Sequence, residues 1–61
     1  MIIFRCDVSP EIGWGHFKRC LTIASYLKKY TTSKFYMSQY NPEVLKSIEK
    51  SGHGFESIPE R

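Results

Sequence analysis

The sequence predicts an α/β fold built on a three-stranded parallel sheet, with its elements in the order β-α-β-α-β. Three observations carry this. Short β-branched or aromatic runs alternate with stretches of helical periodicity, the connections are short, and each helix is placed to cross over between neighbouring strands.

Ile2–Cys6 is apolar, begins at the terminus and stops at the turn-rich Asp7-Val8-Ser9-Pro10, the pattern of a strand leaving into a loop. From His16 onward, Phe17, Cys20, Leu21, Ala24 and Leu27 recur at spacings of three and four. They make the apolar stripe of a helix about four turns long, with Lys28 and Lys29 suited to its negative end. Ser33–Ser38 is aromatic and roughly alternating, a second strand before Gln39-Tyr40-Asn41 turns the chain. Asn41 can cap a second helix, Pro42 suits its first position and Glu43 complements its positive end. Val44, Leu45 and Ile48 give that helix its apolar stripe, and Gly52 closes it. Phe55–Ile58 is a brief third strand.

Right-handed crossovers that step in one direction give the strand order 3-2-1 and place both helices on one face of the sheet. The other face is then bare. Parallel sheets are almost always covered on both faces, so residues 1–61 are expected to be one partial domain of a larger protein. The rival expectation is a dimer whose second copy covers the open face.

Of the 61 residues, 41% are hydrophobic and 25% charged, the composition of a globular protein and not of a disordered chain. The net charge of +3 is spread along the sequence, with no basic block and no aromatic interleaving, so nucleic acid is not the expected partner. Tyr26, Tyr30, Phe35, Tyr36, Tyr40 and Phe55 read as core and rim. Cys6 and Cys20 lack a CxxC spacing and a cluster of His or Asp, which predicts reduced, buried side chains and no metal site. No leader pattern opens the chain and no stretch approaches 18 consecutive apolar residues, so no membrane association is expected and cytoplasm is the default compartment.

One segment is patterned for chemistry. Ile12-Gly13-Trp14-Gly15-His16 joins the first strand to the first helix, where open α/β sheets bind ligands and where free N–H groups favour anions. The positive end of a helix disfavours imidazolium, and a neutral imidazole at His16 can accept a proton from water, as a general base does. On spacing alone a capping or packing role for His16 is the favoured reading. The third glycine of the dinucleotide fingerprint is missing, Ser38 and Gln39 stand where it needs an acidic residue, and the Gly-Lys-Ser/Thr ending of phosphate loops is missing too.

The stretch from Phe4 to Leu21 closely resembles the N-terminus of the UDP-sugar hydrolases of pseudaminic acid biosynthesis. Their pattern FRxDxSxxIGxGHxxR, followed by an apolar helix, is met at every fixed position. Spore coat polysaccharide biosynthesis proteins and, more distantly, glycosyltransferases of B-type fold are related. The resemblance is specific over residues 1 to about 27, and beyond them it rests on element order.

The resemblance implies a partial Rossmann-like N-terminal domain of the glycosyltransferase B-type fold. Its activity would be release of UDP from a UDP-linked 2,4-diacetamido-2,4,6-trideoxy sugar by water attack at the anomeric carbon, with no cofactor. The catalytic histidine falls on His16, and the loop amides from Gly13 to Gly15 would face the substrate. Asp7 and Ser9 match fixed positions and would orient His16 or hold a sugar hydroxyl; equally, Asp and Ser at a strand exit bond their own turn.

Trp14 could stack on a sugar or uracil, or equally be an aromatic left exposed by the loss of a packing contact with absent chain. Arg5 is expected to be structural, paired with Asp7 or with a segment outside this sequence, Arg19 is a phosphate ligand only if it turns back toward the loop, and His53 is expected to be solvated in a turn. These enzymes hold UDP mainly through a C-terminal nucleotide-binding domain, which this sequence lacks, so the chain alone is expected to be inactive unless a separate C-terminal chain completes it. The alternatives are the acceptor-binding domain of a B-type glycosyltransferase and a non-catalytic, self-associating module.

Overall fold

A chain whose side chains alternate between polar and apolar buries one face of each strand, and that period of two decides how this protein is layered. The structure is a computed structural model and describes residues 1–59. In chain order it runs β1 (Ile2–Arg5), α1 (Gly15–Leu27), β2 (Ser33–Met37), α2 (Pro42–Lys50) and β3 (Gly54–Ser57). The three strands form one parallel sheet in the order β1-β2-β3. Ile3, Lys34 and Gly54 share one row across the sheet, and Arg5, Tyr36 and Glu56 share another.

Both helices lie on the same face, as one-directional crossovers require. A single core joins Phe35 and Met37 of β2 to Phe17, Cys20 and Ala24 of α1 and to Val44 and Ile48 of α2. Phe35 is its centre, stacked on Phe4 at 5.2 Å between ring centroids and met edge-on by Phe17 at 5.7 Å. The opposite face carries Ile3, Arg5, Lys34, Tyr36 and Glu56. Lys34 Nζ donates to Glu56 Oε1 at 2.9 Å and lies 5.4 Å above the Tyr36 ring. The uncovered face is therefore mostly polar or charged, with Ile3 its exposed aliphatic side chain at 58%.

The termini of α2 follow from local chemistry. Asn41 Oδ1 accepts from Val44 N–H at 2.9 Å, Pro42 occupies the first turn and Glu43 sits at the positive end. At the other end Gly52 adopts φ +78°, its N–H donates to Glu49 C=O, and His53 N–H donates to Ile48 C=O, the pair of bonds that closes a helix by a Schellman turn. A Cβ at Gly52 would also meet the Lys28 ammonium. Lys28, expected to serve its own helix, instead donates from Nζ to Ser51 C=O at 2.8 Å and so neutralises the negative end of α2.

The expected element limits shift by about one residue. Cys6 lies just outside β1 although its N–H still donates to Tyr36 C=O at 3.4 Å, and Ile58 N–H extends the ladder past β3 by donating to Met37 C=O at 3.0 Å. Tyr26 and Tyr30, expected at the core or rim, are 74% and 71% exposed, Tyr26 on the outer face of α1 and Tyr30 in the turn that follows it. That face lies half a turn away from the stripe that packs on the sheet.

Ser33 is the one buried polar side chain left without a partner among the described residues: its residue is 4% exposed and its hydroxyl meets no donor or acceptor. An unpaired buried hydroxyl carries its full desolvation penalty, so Ser33→Ala is expected to raise stability by about 0.5–1 kcal/mol. Chemical denaturation checks this, with a midpoint that moves upward; a midpoint moving down by the same amount would mean the hydroxyl is in fact satisfied.

Candidate functional site

The β1–α1 loop is shaped by three of its own residues. Ser9 Oγ accepts from Ile12 N–H at 3.0 Å, Ser9 C=O accepts from Gly13 N–H at 2.7 Å, and Gly13 adopts φ +79°, which only glycine takes without strain. The Ser9 hydroxyl thus serves the turn, one of the two roles open to it. Gly15 differs. It opens α1 at an ordinary φ, and a Cβ built on it would meet nothing within 4 Å, so neither conformation nor crowding within the chain requires glycine there. Trp14 precedes it at the N-cap and provides no side-chain cap, which leaves first-turn N–H groups of α1 without an intramolecular side-chain acceptor.

Asp7 is committed elsewhere. Its Oδ1 accepts from Ser38 N–H at 2.8 Å and from Gln39 N–H at 3.2 Å, and its Oδ2 pairs with Arg5 Nη1 at 2.8 Å. The carboxylate therefore ties the exit of β1 to the exit of β2 and does not orient His16. Burial by itself would raise the Asp7 carboxyl; the Arg5 guanidinium and the two amides outweigh it and hold the group below its ordinary range.

His16 lies on the exposed surface of the first turn of α1, with Nε2 3.8 Å from Cys20 Sγ. Ser25 follows nine residues later, two and a half turns on and so on the opposite flank. That opposite flank faces α2, because Ser25 Oγ lies 3.3 Å from His53 Nε2 and Lys28 reaches Ser51. His16 accordingly lies over the free edge of β1.

A depression of about 610 Å³ opens on the other side of the loop, at the carboxyl ends of β1 and β2. Ser9, Trp14, Ser38, Gln39, Tyr40 and Asn41 line it, and His16 does not. The residues expected to act as one substrate site are thus divided: Trp14 and Ser9 face the β1–β2 junction, and His16 faces the β1 edge. Trp14 is fixed edge-on against Phe17 at 5.9 Å, a contact within the chain. Arg19 shares a shallow outer groove with Lys18, Thr22 and Ile23 and makes no hydrogen bond or ion pair among the described residues.

Sequence reasoning missed Ser38 and Gln39, whose amides bind Asp7, and Asn41 as a lining residue; only the distance across the sheet brings them to Asp7 and Ser9. His53 is not simply solvated: it is half-buried, 5.8 Å from the Phe35 ring, and burial together with the Lys28 charge lowers its pKa. Cys6 and Cys20 are free and buried. Burial, with the Cys20 thiol and the Asp7 carboxylate adding to it, pushes the Cys6 thiol up to about 12, the behaviour of an unreactive packing residue. Among the described residues no three His, Cys, Asp or Glu side chains are grouped to hold a metal ion, and no helix is long and apolar enough to cross a membrane.

Comparison with protein-family models, curated proteins and solved structures returns no match, so the family resemblance rests on the residues themselves.

Because the folded-state pKa of Asp7 is depressed below 3.8, its contribution to stability is complete above that value. The contribution disappears as the pH falls through the folded-state value. Asp7→Asn is therefore expected to cost about 2 kcal/mol at pH 7, with the gap to the parent narrowing only as the pH falls below 3.8. Denaturant melts at a series of pH values measure the gap; one that stays constant would show that the charge of Asp7 contributes nothing.

Proposed function

We propose that this chain is the loop-and-histidine part of a nucleotide-sugar hydrolase. Its substrate is a UDP-linked diacetamido-trideoxy sugar of the kind used for pseudaminic-acid-type surface glycans, and the reaction takes place in the cytoplasm. The carrying observation is the start of α1: an exposed His16 stands beside Gly15, whose lack of a side chain the chain itself does not require.

Two further features support the reading. First-turn amides of α1 are free to face an anion. The sheet also grows in one direction only, from β1 to β3, so the flank occupied by His16 is the one beside which a reversal of strand order, and with it a ligand crevice, would form.

In this mechanism the neutral imidazole of His16 takes a proton from water. The water oxygen bonds to the anomeric carbon, and the bond from that carbon to the diphosphate oxygen breaks with its electron pair leaving on UDP. The loop backbone at Gly13 and Gly15 approaches the sugar and the diphosphate. Uridine is held by a nucleotide-binding domain outside these residues, in the B-type arrangement of two Rossmann-like halves. Asp7 and Ser9 act as positioning residues, by fixing the loop and the two strand exits, and Arg19 has no role at the reacting centre.

Gly15→Ala separates structure from binding. Alanine in this helical turn is expected to leave stability unchanged or raise it by about 0.5 kcal/mol. It is also expected to abolish the amide shifts that the UDP-linked diacetamido-trideoxy sugar induces at Gly13, Gly15 and His16. An NMR titration of parent and variant reads both. Shifts confined to residues far from the loop, or a variant that titrates like the parent, would contradict the proposal.

A further inference from the structure

We infer that the depression at the carboxyl ends of β1 and β2 is a binding site for an uncharged pyranose ring, separate from the His16 flank and independent of the hydrolase reading. Its size, about 610 Å³, falls within the range of small-molecule sites. What distinguishes it is the chemistry of its wall.

Two aromatic side chains stand there, and both are held before any ligand arrives. Trp14 packs edge-on against Phe17 at 5.9 Å. Tyr40 packs edge-on against Phe55 at 5.0 Å and donates its hydroxyl to Ser57 Oγ at 3.0 Å. Rings fixed in this way lose little freedom when a ligand stacks on them. Between them lie the hydroxyls of Ser9 and Ser38 and the amides of Gln39 and Asn41.

Asn41 uses only its Oδ1, to cap α2, which leaves its amide N–H groups to donate. The Gln39 side chain makes no hydrogen bond among the described residues, while its backbone is held at both ends, N–H to Asp7 and C=O from Val8 N–H at 2.8 Å. Amides and hydroxyls both donate and accept, as sugar hydroxyls do, and a pyranose adds an apolar C–H face for an aromatic ring.

No charged side chain lines the depression. Asp7, at the adjoining strand exit, is consumed by Arg5, Ser38 and Gln39, so the lining offers a phosphate no cation and an ammonium no anion. The ligand is neutral and polyhydroxylated. It occupies the side of the loop that His16 does not reach.

Trp14 is the only tryptophan, so its fluorescence reports on the site directly. Titrating the 61-residue chain with methyl glucopyranoside and with N-acetylglucosamine is expected to give a saturable change, with a Kd of about 1–10 mM. Gln39→Ala removes only the free amide and is expected to weaken binding about fivefold. Amide shifts should cluster at Ser38, Gln39, Tyr40 and Asn41. Three results would overturn the inference: no saturable change with either sugar, saturation by uridine but by neither sugar, or shifts centred on His16 with Gln39→Ala binding like the parent. Because the test uses no nucleotide sugar and no turnover, its failure leaves the proposal for His16 standing, and failure of that proposal leaves this one intact.

Discussion

The carboxylate of Asp7 is the constraint on which the functional end of this molecule depends. Two loops leave the sheet side by side, one after β1 and one after β2, and past the ladder the backbone joins them through Val8 N–H, which donates to Gln39 C=O at 2.8 Å, so the carboxylate supplies the side-chain part of the link. One oxygen of Asp7 collects the amides of Ser38 and Gln39, and the other meets Arg5. Bonds from backbone N–H to an ionised acceptor are among the stronger hydrogen bonds in proteins, and here they close the gap between two strand exits. The Arg5 pair adds less, because the Arg5 side chain is 52% exposed and water screens it.

With that clamp in place, the two sides of the β1–α1 loop acquire different characters. On the α2 side the loop and the β2 exit enclose a neutral, aromatic-walled depression. On the β1-edge side α1 presents His16 to solvent with Cys20 behind it. The segment from Gly13 to His16 reads as one motif along the chain, yet Trp14 and His16 are two residues apart in a helical turn and so face away from each other. A catalytic imidazole and an aromatic platform at that spacing serve one ligand only if the ligand bridges the loop.

Much of the fold was legible because its determinants are local. Asn41, Pro42 and Glu43 start α2 and Gly52 ends it by bonds within a few residues, and the stripe Phe17, Cys20, Ala24 sets the buried side of α1. The one-sided sheet followed from handedness alone. What could not be read depends on where the chain returns. Asp7 binds amides that carry no side-chain signal and lie some thirty positions away, Lys28 neutralises the end of the other helix, and Ser33 is buried despite its hydroxyl. The loop and His16 were legible as a candidate site, but not the flank on which His16 lies, since that needs the helix phase and the neighbouring helix together. Tyr26 was misplaced for want of the same helix phase, and Tyr30 lies in the turn beyond α1.

The most direct measurement of the Asp7 clamp is hydrogen exchange at Ser38 and Gln39, two amides beyond the last residue of β2 that have no strand partner. If the carboxylate holds them, they exchange as slowly as the Phe35 amide inside the sheet. Exchange as fast as at the exposed turn residue Glu11 would show that the Asp7 carboxylate does not hold the two strand exits, and the arrangement of both flanks would lose its basis.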